Sequence, residues 1–334
     1  MNKKILLIGS NEFFSLEKMY LRAFKSLNYD TKIYHAYNIR KNLISRFSWK
    51  YLRFFYFIKY RKDLINFFKK NRIKYDLIIV FKGIFLNQRT ILKCKSYTDR
   101  SIWANLFPDD PYNINYFRDI SNHSTLDSLN SYDFFFTWST KLVNKLKNKI
   151  AKQKIYYLPF GYDEYIHKGL KNTKKKFDIS FVGTADNERY ELLKKLNNFR
   201  VLIAGDGWKN KVFPENFVLL PKVNAKKSAK IIQLSRISLN LLRKQNFGSH
   251  NMKTFEIPAM NGLMLTPRSK EQNSFFPEGK TCFMFSTENE LLKKIQFILS
   301  NKTISRTIQN AAKKKLKKNT YRNRAKNIIK VVNL

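Results

Sequence analysis

Four times in this chain a short, mostly apolar strand-like run stops at a glycine or one residue before it. Ile5–Ile8 runs into Gly9-Ser10-Asn11, the strand read over Tyr75–Gly83 ends in Lys82-Gly83, Phe177-Asp178-Ile179-Ser180-Phe181-Val182 leads into Gly183-Thr184, and Arg200 to Ala204 into Gly205-Asp206-Gly207. A run that does not alternate apolar with polar suits a strand buried on both faces, which is the state of strands in a parallel sheet. Parallel strands need crossovers, and helical spacing fills the gaps: Phe13 to Leu27, Glu188 to Leu196, Asn224 to Leu234 and Glu288 to Leu299. The pattern predicts an α/β chain of doubly wound sheets, whose ligands gather beyond the carboxyl ends of the strands.

Further strands are predicted at Thr31 to Tyr37, Ser101 to Leu106, Tyr132 to Trp138, Lys154 to Leu158, Val218 to Leu220, Ile237 to Leu242 and Thr281 to Phe285. A basic helix is expected from about Ile304 to Val332. Asn42 to Lys70 reads as a long helix with an apolar aromatic face and a cationic rim. It suits either an interfacial membrane helix or a core helix with snorkelling lysines.

At 334 residues the chain is long enough for about two domains. The polar, lysine-rich stretch after Pro159 marks the junction. The expected division is 1–160 as a first domain, 161–176 as a linker, 177–310 as a second domain, and 311–334 as a basic helix packing back on the first.

A net charge of +41, from 65 Lys and Arg against 24 Asp and Glu, favours anionic partners: a phosphorylated small molecule, an anionic membrane surface or nucleic acid. Abundant Lys, Asn and Ile throughout also fit a biased composition whose lysines only solvate helix faces. Cys94 and Cys282 form neither a metal spacing nor a disulfide framework, so a reducing cytoplasm is the default. The apolar start is too short for a signal peptide, and no run reaches the roughly 18 apolar residues of a membrane span.

Candidate chemistry sits at the strand ends. Gly183-Thr184 opens a helix whose first-turn Arg189 is easier to explain if an anion binds there. In the second half, Glu256 stands between Phe255 and Ile257 with Lys253 three residues earlier, on one helix face. Ser249 or Asn251 could cap that helix and Pro258 shorten it. The pair is either a surface ion pair or a partly buried carboxylate that needs donors, such as a ribose diol. In the first half Asp109-Asp110 lies between prolines after a strand, which fits a catalytic or acceptor-binding acid and equally a capped turn. Gly9 and Asn11 end the first strand on the same side. His35, His123, His167 and His250 show no metal spacing, and there is no P-loop and no G-x-G-x-x-G.

Taken in order, Tyr132-Asp133, Tyr157-Leu158-Pro159-Phe160-Gly161-Tyr162-Asp163, Asp178–Thr184 with Arg189, Ser238–Leu241, Asn251–Gly262 and Phe276–Lys280 resemble the CgeB-like branch of the group 1 glycosyltransferases. Phe107-Pro108-Asp109-Asp110-Pro111 resembles that branch's aspartate-proline signature. The resemblance runs from about residue 75 to 325. It implies a GT-B fold, two Rossmann-like doubly wound domains facing a central cleft, with a nucleotide-diphosphate-sugar donor on the second and a glycan or lipid-linked cell-envelope acceptor on the first. Gly183, Thr184, Arg189, Lys253 and Glu256 then bind donor, Glu256 holding the ribose. Gly9, Asn11 and Asp109 line the acceptor side, and Asp110 is the catalytic or acceptor-contacting acid. No metal or cofactor is expected, with Arg, Lys and helix N-termini stabilising the leaving group. A lysine stands at 253 where the family has arginine, and Gly248 replaces the acid that the wider retaining branch carries eight residues before the glutamate, so retention does not follow. Such an enzyme would be cytoplasmic, peripheral on the inner membrane face. The alternative from another class is a non-catalytic, nucleic-acid-binding protein on the same fold.

Overall fold

The computed structural model describes residues 3–35, 43–71, 74–98, 100–112, 126–148, 151, 154–170, 173–246 and 248–334, with backbone only for 43–54 and Gln245. Two compact units result: Met1–Pro159 with Tyr321–Leu334, and Phe160–Thr320.

In the first unit the elements are β1 (Lys4–Gly9), α1 (Leu16–Lys25), β2 (Asp30–His35), α2 (Leu43–Lys70), β3 (Leu77–Phe81), α3 (Gln88–Lys95), β4 (Ile102–Phe107), β5 (Phe134–Thr137), α4 (Thr140–Leu146) and β6 (Ile155–Tyr157). Among the described residues the strands form one six-stranded sheet in the order β2-β1-β3-β4-β5-β6. Every pairing is parallel. The winding direction reverses between β1 and β3, a topological switch point.

Ser15 sets the start of α1. Its hydroxyl accepts from the Lys18 N–H, so the helix begins at Leu16 and leaves Phe13 and Phe14 in the preceding loop. Of α2, the half whose side chains are described is a core helix: Phe57, Leu64 and Phe68 are buried, the last two against Trp103, Ile91 and the strands. Each such side chain contributes about 1.5–3 kcal/mol of transfer free energy. Phe55 points outward. No helix among the described residues is long and apolar enough to cross a membrane.

In the second unit follow β7 (Phe177–Val182), α5 (Asn187–Lys194), β8 (Val201–Ala204), β9 (Phe217–Leu220), α6 (Ala225–Leu234), β10 (Ser235–Leu239), α7 (Lys253–Ala259), β11 (Met264–Pro267), α8 (Lys270–Phe275), β12 (Phe283–Phe285), α9 (Glu288–Ser300) and α10 (Lys302–Lys315). The described strands make a second six-stranded parallel sheet, β12-β11-β10-β7-β8-β9, with its switch point between β7 and β10. Ile179, Phe181, Ile203, Ile237 and Leu265 from the strands close its core with Leu193, Leu291, Ile295 and Ile308 from the helices.

The single terminal helix expected from the sequence is two. After α10 the chain tightens into a 3-10 turn at Leu316–Lys318 and breaks at Asn319-Thr320 before α11 (Tyr321–Val332). The break lets α10 stay with the second unit while α11 returns to the first, packing on α1 with the Tyr321 and Tyr20 rings 5.2 Å apart. The stretch 161–176 belongs to the second unit, where the Leu170 N–H donates to Gln233 Oε1 at 2.9 Å.

Arg324 fixes the return. Its buried guanidinium donates from Nε to the Pro159 carbonyl at 3.0 Å, joining α11 to the last residue of the unit's main segment. Arg324→Ala strips that carbonyl of a buried donor. The expected cost is roughly 1–3 kcal/mol, read as a lower urea midpoint and faster amide exchange across 321–332.

Candidate functional site

At the switch point of the second unit the ends of β7 and β10 are tied by one side chain. Arg189 is buried on the first turn of α5 and donates from Nη1 to the Thr184 carbonyl at 3.0 Å and from Nη2 to the Leu241 carbonyl at 2.5 Å. Its Nε lies 3.4 Å from Asp186 Oδ2, and Asp186 also caps α5 by accepting from the Arg189 N–H. Asp186 thus meets this helix N-terminus. The Gly183 and Ala185 N–H groups are likewise engaged, by the carbonyls of Ala204 and Asp206. The structure therefore uses Arg189 and Gly183 to brace the crevice. Gly205 allows the β7 and β8 ends to close on each other, since a Cβ there would collide with the Gly183 carbonyl.

Below α7 lies a buried polar knot. Asn240, just past β10, donates from Nδ2 to Gln272 Oε1 at 3.1 Å, and its Oδ1 accepts from Asn251 Nδ2 at 2.8 Å. The Thr254 and Thr266 hydroxyls donate to the same Gln272 oxygen, and Gln272 Nε2 donates to the Pro267 carbonyl. Asn251 Oδ1 accepts the Thr254 N–H, so of the two caps considered Asn251 serves. Ser249 instead donates to Glu271, as does His250 Nδ1 at 2.9 Å, while His250 Nε2 accepts the Phe160 N–H. Pro258 and the left-handed Asn261 end α7 after two turns.

This frame presents Glu256, 5 % exposed. Lys253 Nζ donates to its Oε2 at 2.6 Å, and His167 Nε2 lies 3.5 Å from its Oε1. His167 Nδ1 accepts the Asp163 N–H at 2.9 Å, so the ring's proton is on Nε2, facing the carboxylate. Burial alone would push the Glu256 carboxyl up, but the Lys253 ammonium and His167 outweigh it and hold it below the ordinary carboxylate range. A carboxylate has about four lone-pair sites, so both oxygens keep acceptor capacity for two vicinal hydroxyls. The histidine spacings gave no hint of His167. The signal was its position four residues after Asp163, closing one turn in which the His167 N–H returns to the Asp163 carbonyl.

The first-unit residues lie at the end of β1 or in the loops that follow β1 and β4. Asp110 is buried and its Oδ1 accepts the Tyr112 N–H at 2.9 Å, the capped-turn geometry. Asp109 is more accessible and pairs with Lys82 Nζ at 2.6 Å. Gly9 packs on Glu17, whose carboxylate accepts the Ser10 N–H at 2.8 Å, and burial pushes that carboxyl up. Asn11 is exposed in the same loop. Glu17 and Lys82 were not singled out in the sequence. His123 lies outside the described residues.

Because the folded-state pKa of Glu256 is depressed, its contribution to stability is present above the ordinary carboxylate range and is lost as pH falls through the folded value. Glu256→Gln should therefore flatten the fall of the urea midpoint below about pH 4.5, where the wild type titrates.

Residues 189–330 match a family model described as glycosyl transferase-like, a span that holds Arg189, Lys253 and Glu256. No curated protein matches the chain in sequence. Among solved structures it is similar to sucrose-phosphate synthase from Thermosynechococcus elongatus, with a TM-score of 0.71 and 10 % identity over 99 % of this chain and 98 % of that one. It is also similar to the DNA-modifying β-glucosyltransferase of phage T4, with a TM-score of 0.61 and 13 % identity over 99 % and 100 %. For TarM of S. aureus the TM-score is 0.63 and the identity 12 %, over 82 % of this chain and 58 % of that one, so the chain spans less than two thirds of TarM. At such identities the likeness establishes architecture. The two parallel six-stranded sheets with their flanking helices are a GT-B fold.

Proposed function

We propose that the protein is a glycosyltransferase of the CgeB-like branch, moving a sugar from a nucleotide diphosphate to a glycan or lipid-linked acceptor. The observation that carries this reading is Glu256. A buried, ionised carboxylate held from two sides by Lys253 and His167 gives two ribose hydroxyls a rigid acceptor. The family match over 189–330 supports sugar transfer as the chemistry.

In this reaction the bond from the sugar's anomeric carbon to the diphosphate oxygen breaks, the diphosphate leaves with the electron pair, and an acceptor oxygen bonds to that carbon after losing its proton. Charge grows on the leaving diphosphate, so cations held near it lower the barrier. Lys253 is the nearest to the ribose carboxylate, and the exposed Arg243 and Lys244 follow β10 on the same edge. A lysine offers a point charge without arginine's bidentate fork. Gly248 has φ +81°, a conformation that L side chains rarely adopt, so the site is not built to carry an acid there. Uridine nucleotides are the first donors to try: a T4 β-glucosyltransferase structure holds UDP-glucose, and the similar HepE of Anabaena holds UDP.

UDP or UDP-glucose should raise the thermal midpoint of the wild type with increasing concentration. Glu256→Gln keeps the side chain's shape but loses the charge, and should weaken UDP binding at least tenfold, or about 1.4 kcal/mol. His167→Gln should weaken it less, through loss of carboxylate alignment. If no nucleotide shifts the midpoint while the protein binds generic DNA with a steep salt dependence, the polyanion-binding alternative replaces this reading.

A further inference from the structure

Two histidines hold one short segment of the second unit by its two ends. Past β6 the chain runs Phe160-Gly161-Tyr162-Asp163, and the outer two N–H groups each donate to an imidazole. The Phe160 N–H reaches His250 Nε2 at 3.2 Å, and the Asp163 N–H reaches His167 Nδ1 at 2.9 Å. Each ring turns its other nitrogen to a glutamate. His250 Nδ1 lies 2.9 Å from Glu271 Oε2, and His167 Nε2 lies 3.5 Å from Glu256 Oε1. The hydrogen bond made at one imidazole nitrogen decides where the ring carries its proton. His250 therefore carries it on Nδ1 and His167 on Nε2, opposite tautomers selected by one stretch of backbone.

The His250 ring is fully buried and sealed in place. Phe160, Phe255 and Phe275 meet it edge to face, with centroids 5.7, 5.6 and 5.1 Å away. Glu271, on the first turn of α8, keeps the proton on Nδ1 and so leaves the Nε2 lone pair for Phe160. A proton on Nε2 would set N–H against N–H, and a buried N–H is costly to leave unpaired. Three residues of chain have few soft dihedrals in which to absorb a displacement, so an error at Phe160 travels toward Asp163. Only one anchor stands between them: the Tyr162 N–H on the Asn319 carbonyl at 3.1 Å.

We propose that Glu271 and His250 are positioning residues for Glu256: they fix Phe160, and through Asp163 they set the tautomer and aim of the His167 ring that faces the carboxylate. The proposal rests on the nucleotide-donor reading for its consequence, a firmer hold on the ribose. The relay itself belongs to the unliganded chain.

Long-range proton–nitrogen correlation NMR on the full chain, labelled at its 4 histidines, separates the two tautomers. His250→Asn and His167→Gln assign the two rings. The wild type should show His250 protonated on Nδ1 and His167 on Nε2. Asparagine keeps a donor near the Nδ1 position but withdraws the acceptor from Phe160, and Glu271→Ala removes the group that fixes the tautomer. Both variants should move His167 toward a mixture of tautomers and weaken UDP binding about three- to fivefold. His250→Gln puts an acceptor back near the Nε2 position, and should restore the His167 tautomer and bring UDP affinity within about twofold of wild type. A contribution to folding alone would lower the thermal midpoint of all three variants and leave the His167 tautomer and the affinity of the folded protein unchanged. That result overturns the proposal, as does a His167 tautomer that changes with no loss of UDP affinity. If the wild type binds no UDP, the donor assignment falls by itself, and the His167 tautomer in His250→Asn and Glu271→Ala still decides the relay.

Discussion

The candidate site depends on Gln272. One amide oxygen under α7 accepts from Asn240, Thr254 and Thr266, which come from three separate elements, and the amide nitrogen reaches the Pro267 carbonyl. None of these groups can turn to water, so each is costly to leave unpaired and the arrangement is satisfied as a whole or not at all. That requirement fixes how a seven-residue helix lies on the ends of β10 and β11. So short a helix has little stability of its own. Lys253 and Glu256 are therefore placed by the polar frame beneath them more than by their own helix.

The two units share a winding scheme and differ in what the reversal point carries. In the second, a guanidinium bridges the two strand ends and a carboxylate pinned by a lysine and a histidine stands nearby in sequence after β10. In the first, an ion pair and exposed rings occupy the corresponding ends. Parallel sheets place chemistry at such points because the two crossovers leave on opposite faces there and part the loops.

The architecture was legible because strands buried on both faces must be apolar throughout. The strands expected at Ile5–Ile8, Tyr75–Gly83 and Arg200–Ala204 form with bounds that differ from the expected ones by a residue or two. Helix ends were harder. Phe13 fits the apolar spacing of α1, yet Ser15 caps the helix and turns both phenylalanines out. The break at Asn319-Thr320 is hidden because cationic, helix-favouring residues flank it on both sides. Lys253 and Glu256 could be paired from their spacing alone. His167 could not, since it lies 89 positions before the carboxylate it faces and only the folded chain brings them together. Arg189 reads in the sequence as a contact for an anion, whereas the structure shows its guanidinium on the Thr184 and Leu241 carbonyls and beside Asp186, none of which a motif reveals.

The path of the chain bears on biosynthesis. The second unit is one continuous stretch, Phe160–Thr320, whereas the first takes its last helix from residues made after it. On the ribosome the second unit can therefore finish folding while the first still lacks α11. Until that helix emerges, the face of α1 around Tyr20 has no cover from Tyr321. Apolar surface left open during synthesis favours aggregation, and at roughly 5–20 residues per second the exposure lasts for the whole time the second unit is being made. A nascent chain of this design is best served by a chaperone that holds the first unit until its final helix arrives.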